Sequence, residues 1–189
     1  TIQRTNQYHD ESLEADILSA SAIRKAHLDG IDTGQSLVNM DYFVEESSLY
    51  PFLRYRLLSS TSAQLQSNLM VSEGIENLLQ QNAKRYDDYN DFINACVSKR
   101  YSKARIQRTC LQILLNHPKD HQQTLDYVRI LGFRNESRDY LKTIEGRVSS
   151  FKDLPLTAQE YELRATSVYA LVSSAPHLLE REIGKIIIV

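Results

Sequence analysis

The chain has 189 residues, 42% hydrophobic and 24% charged, with 22 Lys+Arg against 24 Asp+Glu and a net charge of -2. That length can bury a real core in one domain, or in one domain plus part of another. The longest apolar runs, such as "IIIV" at 186–189, are too short for a membrane-spanning helix, and no signal-peptide pattern is visible.

In chain order, "TIQR" alternates like a strand and is followed by the turn-like "YHDE". The chain opens on Thr1, and nothing before it explains what such a strand pairs with, so a fragment lacking its amino-terminal part is expected. "LSASAIRKA" reads as a helix start, running to Leu28, with Ser19 or Ser21 available as N-cap. "DGIDTGQ" at 29–35 is the clearest linker. Pro51 suits the first turn of a helix in "PFLRYRLLSS". Amphipathic helices are predicted in "SEGIENLLQQNAKR", "YNDFINACV" and "SKARIQRTCLQILL" from the helical spacing of Ile75, Leu78 and Leu79, of Phe92, Ile93 and Cys96, and of Ile106, Cys110, Ile113 and Leu114. "YVRILGF" is β-prone and reads as one short strand; "SRDYLKTIEGR" and "TAQEYELRATSVYALV" read as helices, and "KIIIV" as a strand or apolar tail. Cys96 and Cys110 fall on apolar helical positions without metal-ligand spacing, which predicts reduced structural thiols and a cytoplasmic protein with no metal site of its own.

Two stretches carry chemistry. The run "SKRYSKARIQR" at 98–108 holds Lys99, Arg100, Lys103, Arg105 and Arg108 and no acid. On a helix, Arg105, Arg108 and Gln112 form a stripe opposite Ile106, Cys110 and Ile113, with Tyr101 among the cations. Cations on an exposed stripe beside a stacking aromatic suit a nucleic-acid backbone; a solvated charged face is the alternative. Arg129, Arg134 and Arg138 would enlarge the patch if they fold onto the same side. The second stretch is the serine-rich helix start, where helix dipole, first-turn amides, hydroxyls and Arg24 together make an anion site; a plain N-cap beside a solvated arginine is the alternative. Arg4 closes the first strand, and an arginine at a strand end near such a helix start is a nucleotide-binding geometry of open α/β sheets.

These segments resemble, in order and over nearly the whole chain, the bacterial tRNA(Met) cytidine acetate ligases. "SASAIRKA" resembles their S-A-T-A-I-R-K-A signature, a counterpart of the KMSKS loop, with Ser21 in place of threonine; "TIQR" and "YHDE" resemble the strand and turn before it. "SKRYSKARIQR" is similar to their T-K-R-Y-T-x-x-R-L-Q-R helix, "YVRILGF" to Y-x-R-V-L-G-F, and "ELRATSVYAL" to E-x-x-A-T-x-x-Y. The family's HxGH-type motif, in the form N-P-F-H-N-G-H, is not in these 189 residues.

The resemblance implies a carboxy-terminal part of a nucleotidyltransferase-type ligase. The fold class expected is mainly α: the tail of an α/β nucleotidyltransferase domain at 1–34, which binds ATP, followed by a helical tRNA-binding domain with a few short strands at 35–189. It implies ATP, accompanied by Mg2+, as substrate, acetate and elongator tRNA(Met) as partners, and no membrane. Arg4, Ser19, Ser21 and Arg24 would contact ATP; Lys99, Arg100, Tyr101, Arg105 and Arg108 would contact tRNA. Without the HxGH-type histidines, which stabilise the transferring phosphoryl region in related enzymes, this chain alone would not adenylate. Two rivals stand beside this reading. One is a small-molecule adenylyltransferase acting on a pantetheine or a nicotinamide mononucleotide. The other is a non-catalytic interaction domain using Tyr42, Phe43, Tyr50 and Phe52 as an apolar patch; core packing is the alternative for those aromatics.

Overall fold

The computed structural model describes residues 11–14, 17–34, 42–121 and 126–188. The expected first strand with Arg4, and the "YHDE" turn apart from Glu11, lie outside them. The chain divides into two compact units, Thr1–Phe43 and Val44–Val189, and the described residues are mostly helical.

In the first unit α1 spans Ala20–Leu28 and buries Ala22 and Ala26. Its ends are set by local chemistry. Ser19 in extended backbone accepts the Ala22 amide at 3.0 Å, as an N-cap does. At the other end Gly30 adopts φ +73. Its N–H donates to the His27 carbonyl while that of Ile31 reaches back to Ala26. This Schellman arrangement needs a left-handed residue, which glycine supplies without steric cost.

In the second unit α2 (Glu46–Ser59), α4 (Ile75–Arg85), α5 (Tyr89–Cys96) and α6 (Lys103–Leu114) surround one core, with α3 (Ser62–Gln66) capping it. Each helix contributes one apolar stripe: Tyr50, Leu53 and Leu57; Ile75, Leu79 and Ala83; Phe92, Ile93 and Cys96; Ile106, Cys110 and Ile113. The three helices read from periodicity therefore form where expected. Pro51 differs, because it lies in the interior of α2 rather than in its first turn. The helix begins upstream because Tyr50 must share the stripe of Leu53 and Leu57. Burial of that stripe outweighs the hydrogen bond that Pro51 cannot donate to the Ser47 carbonyl. Both cysteines are free and buried. Tyr50, 2% exposed, is a core residue, whereas Phe52 is exposed, so these two do not form one partner-facing patch.

Among the described residues the remainder of this unit holds four two-residue strands and α7 (Arg138–Lys142), α8 (Leu156–Val172) and α9 (His177–Glu182). "YVRILGF" forms two strands instead of one. β1 (Val128–Arg129) pairs in parallel with β3 (Arg147–Val148), and β2 (Gly132–Phe133) with β4 (Ile187–Ile188). The backbone changes partner between Ile130, whose N–H bonds Val148, and Leu131, whose carbonyl accepts from Ile187. "SRDYLKTIEGR" keeps only a five-residue helix, α7, before Gly146 turns the chain into β3 at φ +65. A Cβ at Gly146 would stand 2.6 Å from the Asp126 carbonyl oxygen, so only glycine fits there. Arg164 on α8 donates to the Leu115 and Asn116 carbonyls and ties α8 to the end of α6.

Candidate functional site

Ser19, Ser21 and Arg24 share the start of α1. Ser19 is 8% exposed and closes the helix end. That leaves the amides of Ala20 and Ser21, which geometry denies any intrahelical partner. Arg24 is exposed and only reaches Ser21 Oγ at 3.5 Å, a contact too long to hold a guanidinium in place. The neighbouring Lys25 is committed instead: it donates to Glu11 at 2.6 Å, and that bond raises its pKa. Among the described residues the first turn of α1 thus presents unfilled donors, a small hydroxyl and one loosely held cation, a set that accommodates a phosphate group.

The basic run does not become a uniform stripe. Ser102 caps α6 by accepting the Arg105 amide, and the preceding loop is closed by a hydrogen bond from the Ser98 amide to the Tyr101 carbonyl. Lys99, Lys103 and Arg108 are exposed, with no ion pair among the described residues. Arg100 and Arg105 both face Glu73, from the turn before α4: Arg100 Nε and Arg105 Nη2 lie 3.4 and 3.3 Å from its Oε2. Arg105 also donates to Ser72 Oγ at 3.2 Å.

Tyr101 sits beneath both cations, their guanidinium carbons 5.5 and 5.0 Å from its ring centroid. Its hydroxyl donates to the Glu73 carbonyl at 2.8 Å. At 6% exposure the ring belongs to the core, which corrects the expectation of a side chain presented for base stacking. Gln112 departs from the expected exposed stripe too, being half-buried.

The wider patch expected from "RILGFRNESR" contracts. Arg134 and Arg138 are exposed, but Arg129 is half-buried among carboxylates. It pairs with Glu162 and Glu182 and lies over the Phe151 ring. With two acids upon it, Arg129 has no charge left for an outside anion. It lines a groove of about 510 Å³ that also holds Leu131, Tyr169, Arg181, Lys185 and Ile187.

Glu73 is the residue that sequence reasoning missed. The run contains no acid, yet the fold brings one from 27 residues before Arg100. The local signal, "SEG" at 72–74, marks only a turn. Among the described residues no cluster of histidine, cysteine, aspartate or glutamate could hold a metal ion, and no helix is long and apolar enough to cross a membrane.

A model of the family described as HIGH Nucleotidyl Transferase matches residues 1–182, through both compact units. A tRNA(Met) cytidine acetate ligase of Listeria monocytogenes serotype 4b (strain CLIP80459) is 38% identical over 181 residues, covering 87% of this chain and 46% of the relative. The crystal structure of Thermotoga maritima TmcAL in apo form I superposes with a TM-score of 0.76 at 20% identity, covering 97% of this chain and 53% of that one. The same protein bound with alpha-thio ATP gives 0.69 at 19% identity, covering 93% and 53%. The two structures establish likeness of fold, and the chain spans about half the length of the curated relatives it matches.

Proposed function

This chain belongs to the HIGH nucleotidyl transferase family, and on that premise we propose that it serves an ATP-dependent ligase that acetylates the wobble cytidine of elongator tRNA(Met). The observation that carries the reading is the 38% identity with a tRNA(Met) cytidine acetate ligase over 181 residues. The exposed cations at the start of α6 agree with it.

In the first half-reaction an acetate oxygen attacks the α-phosphorus of ATP, forming acetyl-adenylate and expelling pyrophosphate. The first turn of α1, with Ser19, Ser21 and Arg24, faces the phosphates of ATP and offsets the charge that gathers on the leaving group. Arg4 joins this set. In the second half-reaction the exocyclic amine of cytidine attacks the acetyl carbonyl, AMP departs and the amine loses a proton. Lys99, Lys103 and Arg108 grip tRNA phosphates, and Arg100 and Arg105 stand behind them, positioned by Tyr101. Electrostatics supplies the grip, while shape and base contacts supply the choice of tRNA.

The test is to supply the intact protein with ATP, labelled acetate and tRNA(Met). Acetate-dependent pyrophosphate release and acetylated cytidine are expected. Turnover of a pantetheine phosphate or nicotinamide mononucleotide, with no response to acetate, would replace this reading with the small-molecule one.

A further inference from the structure

The contacts of Glu73 with the basic run are loose in a specific way. One oxygen, Oε2, is shared by two guanidiniums at 3.3 and 3.4 Å, longer than the 2.7–2.9 Å typical of a committed charge-assisted bond. The carboxylate is 48% exposed and Arg100 is 62% exposed. Such a pair is worth little in water and yields readily to a better anion.

The cations themselves are well placed. Both lie over the Tyr101 ring, and the ring is fixed by burial and by its bond to the Glu73 carbonyl. Arg105 is further held by Ser72 Oγ. Two guanidiniums converging on one oxygen, with a hydroxyl beside them, match what a phosphodiester requires. Arg105, 30% exposed and held by Ser72, is the more ordered of the two, so its capture of a phosphate costs less further side-chain entropy than that of a free side chain.

We infer that Arg100, Arg105 and Ser72 form a phosphodiester-binding fork, and that the Glu73 carboxylate occupies it as an internal competitor which an RNA phosphate displaces. The inference rests on the reading of the run as RNA-facing, and it adds a residue that sets the affinity of that face. Glu73 lowers the affinity of the fork for any polyanion, so that contacts elsewhere must contribute before the fork is engaged.

The experiment measures tRNA(Met) binding by the intact protein at 0.15 M salt, where charge effects beyond about 8 Å are screened. Glu73→Gln removes the charge and keeps the shape. Glu73→Gly removes it too, and suits the left-handed backbone at φ 60, so a folding defect in the first variant leaves the second to decide. Both are expected to bind tRNA about three- to fivefold more tightly. In an Arg100→Ala/Arg105→Ala background the same substitutions should change affinity by less than about twofold, the coupling expected of groups in direct contact. Unchanged or weakened binding by both well-folded variants overturns the inference. So does a gain that persists without the two arginines, since the carboxylate would then act only through the general field. A failure of the underlying reading shows elsewhere, in a Lys103→Ala/Arg108→Ala protein that binds tRNA as well as the wild type.

Discussion

Replacing Lys103 and Arg108 together by alanine separates a nucleic-acid grip from a solvated helix face. Both side chains are exposed and neither has an ion pair among the described residues, so no such pair is lost. Lys103 is the first residue of α6, a helix with no acid in its first turn. A cation there opposes the helix dipole, and its removal should leave stability unchanged or raise it by about 0.3–1 kcal/mol. Binding should respond differently. Each phosphate contact contributes about 0.7–0.9 to the slope of log affinity against log salt, so two lost contacts flatten the slope by about 1.4–1.8. Between 50 and 200 mM salt the wild type should then lose roughly tenfold more affinity than the variant does. Fluorescence anisotropy with tRNA(Met) over a salt series, beside thermal melts of both proteins, gives the two readouts. Equal slopes and equal affinities in two equally stable proteins would refute the assignment of this face to RNA.

Arg24→Ala in the intact ligase should slow acetate-dependent pyrophosphate release by about ten- to a hundredfold, the loss of one charge-assisted contact of roughly 1.5–3 kcal/mol, with tRNA affinity unchanged; undiminished turnover would reduce the start of α1 to a plain capped helix. Phe92, fully buried and 4.9 Å from the Tyr50 ring, should cost about 3–5 kcal/mol of stability when replaced by alanine, read as a lowered urea midpoint. Burial pushes the Cys96 thiol from 9.0 up to about 11 and the Tyr50 hydroxyl from 10.0 up to about 12. A proton held more tightly in the folded than in the unfolded chain stabilises the fold below the unfolded pKa, and that contribution is lost as pH rises toward the folded value. The urea midpoint should therefore fall from about pH 9 towards pH 12, with Cys96→Ala reducing but not abolishing the lower part of the fall, since burial also raises the Cys110 thiol, and a midpoint flat across that window would contradict the burial of these groups.

The core helices were legible in the sequence because their signal is local. Ile75, Leu78 and Leu79, Phe92, Ile93 and Cys96, and Ile106, Cys110, Ile113 and Leu114 reveal one apolar face by spacing alone, and the structure buries all of them but Leu78 and Leu114, which are half-buried at the edge of the core. Ser19 was readable as a cap for a similar reason, since a serine hydroxyl and an amide three residues on are neighbours by covalent geometry. The Pro51 position was misread because its local preference, a first helical turn, was overruled by the need to bring Tyr50 into the core. "YVRILGF" carried strand propensity but no trace of its partners, which lie at 147–148 and 187–188.

The sequence by itself determined which residues bear charge and which helix faces turn inward. It placed five cations within 11 residues and no acid among them. Only the tertiary structure decided which of those charges remain available. It brought Glu73 to Arg100 and Arg105, set Glu162 and Glu182 on Arg129, buried Tyr101, and left Lys99, Lys103 and Arg108 exposed. Periodicity follows from 3.6 residues per turn and can be counted along the chain. Ion pairing depends on distance through space, and residues far apart in sequence become neighbours only when the core that joins their helices has formed.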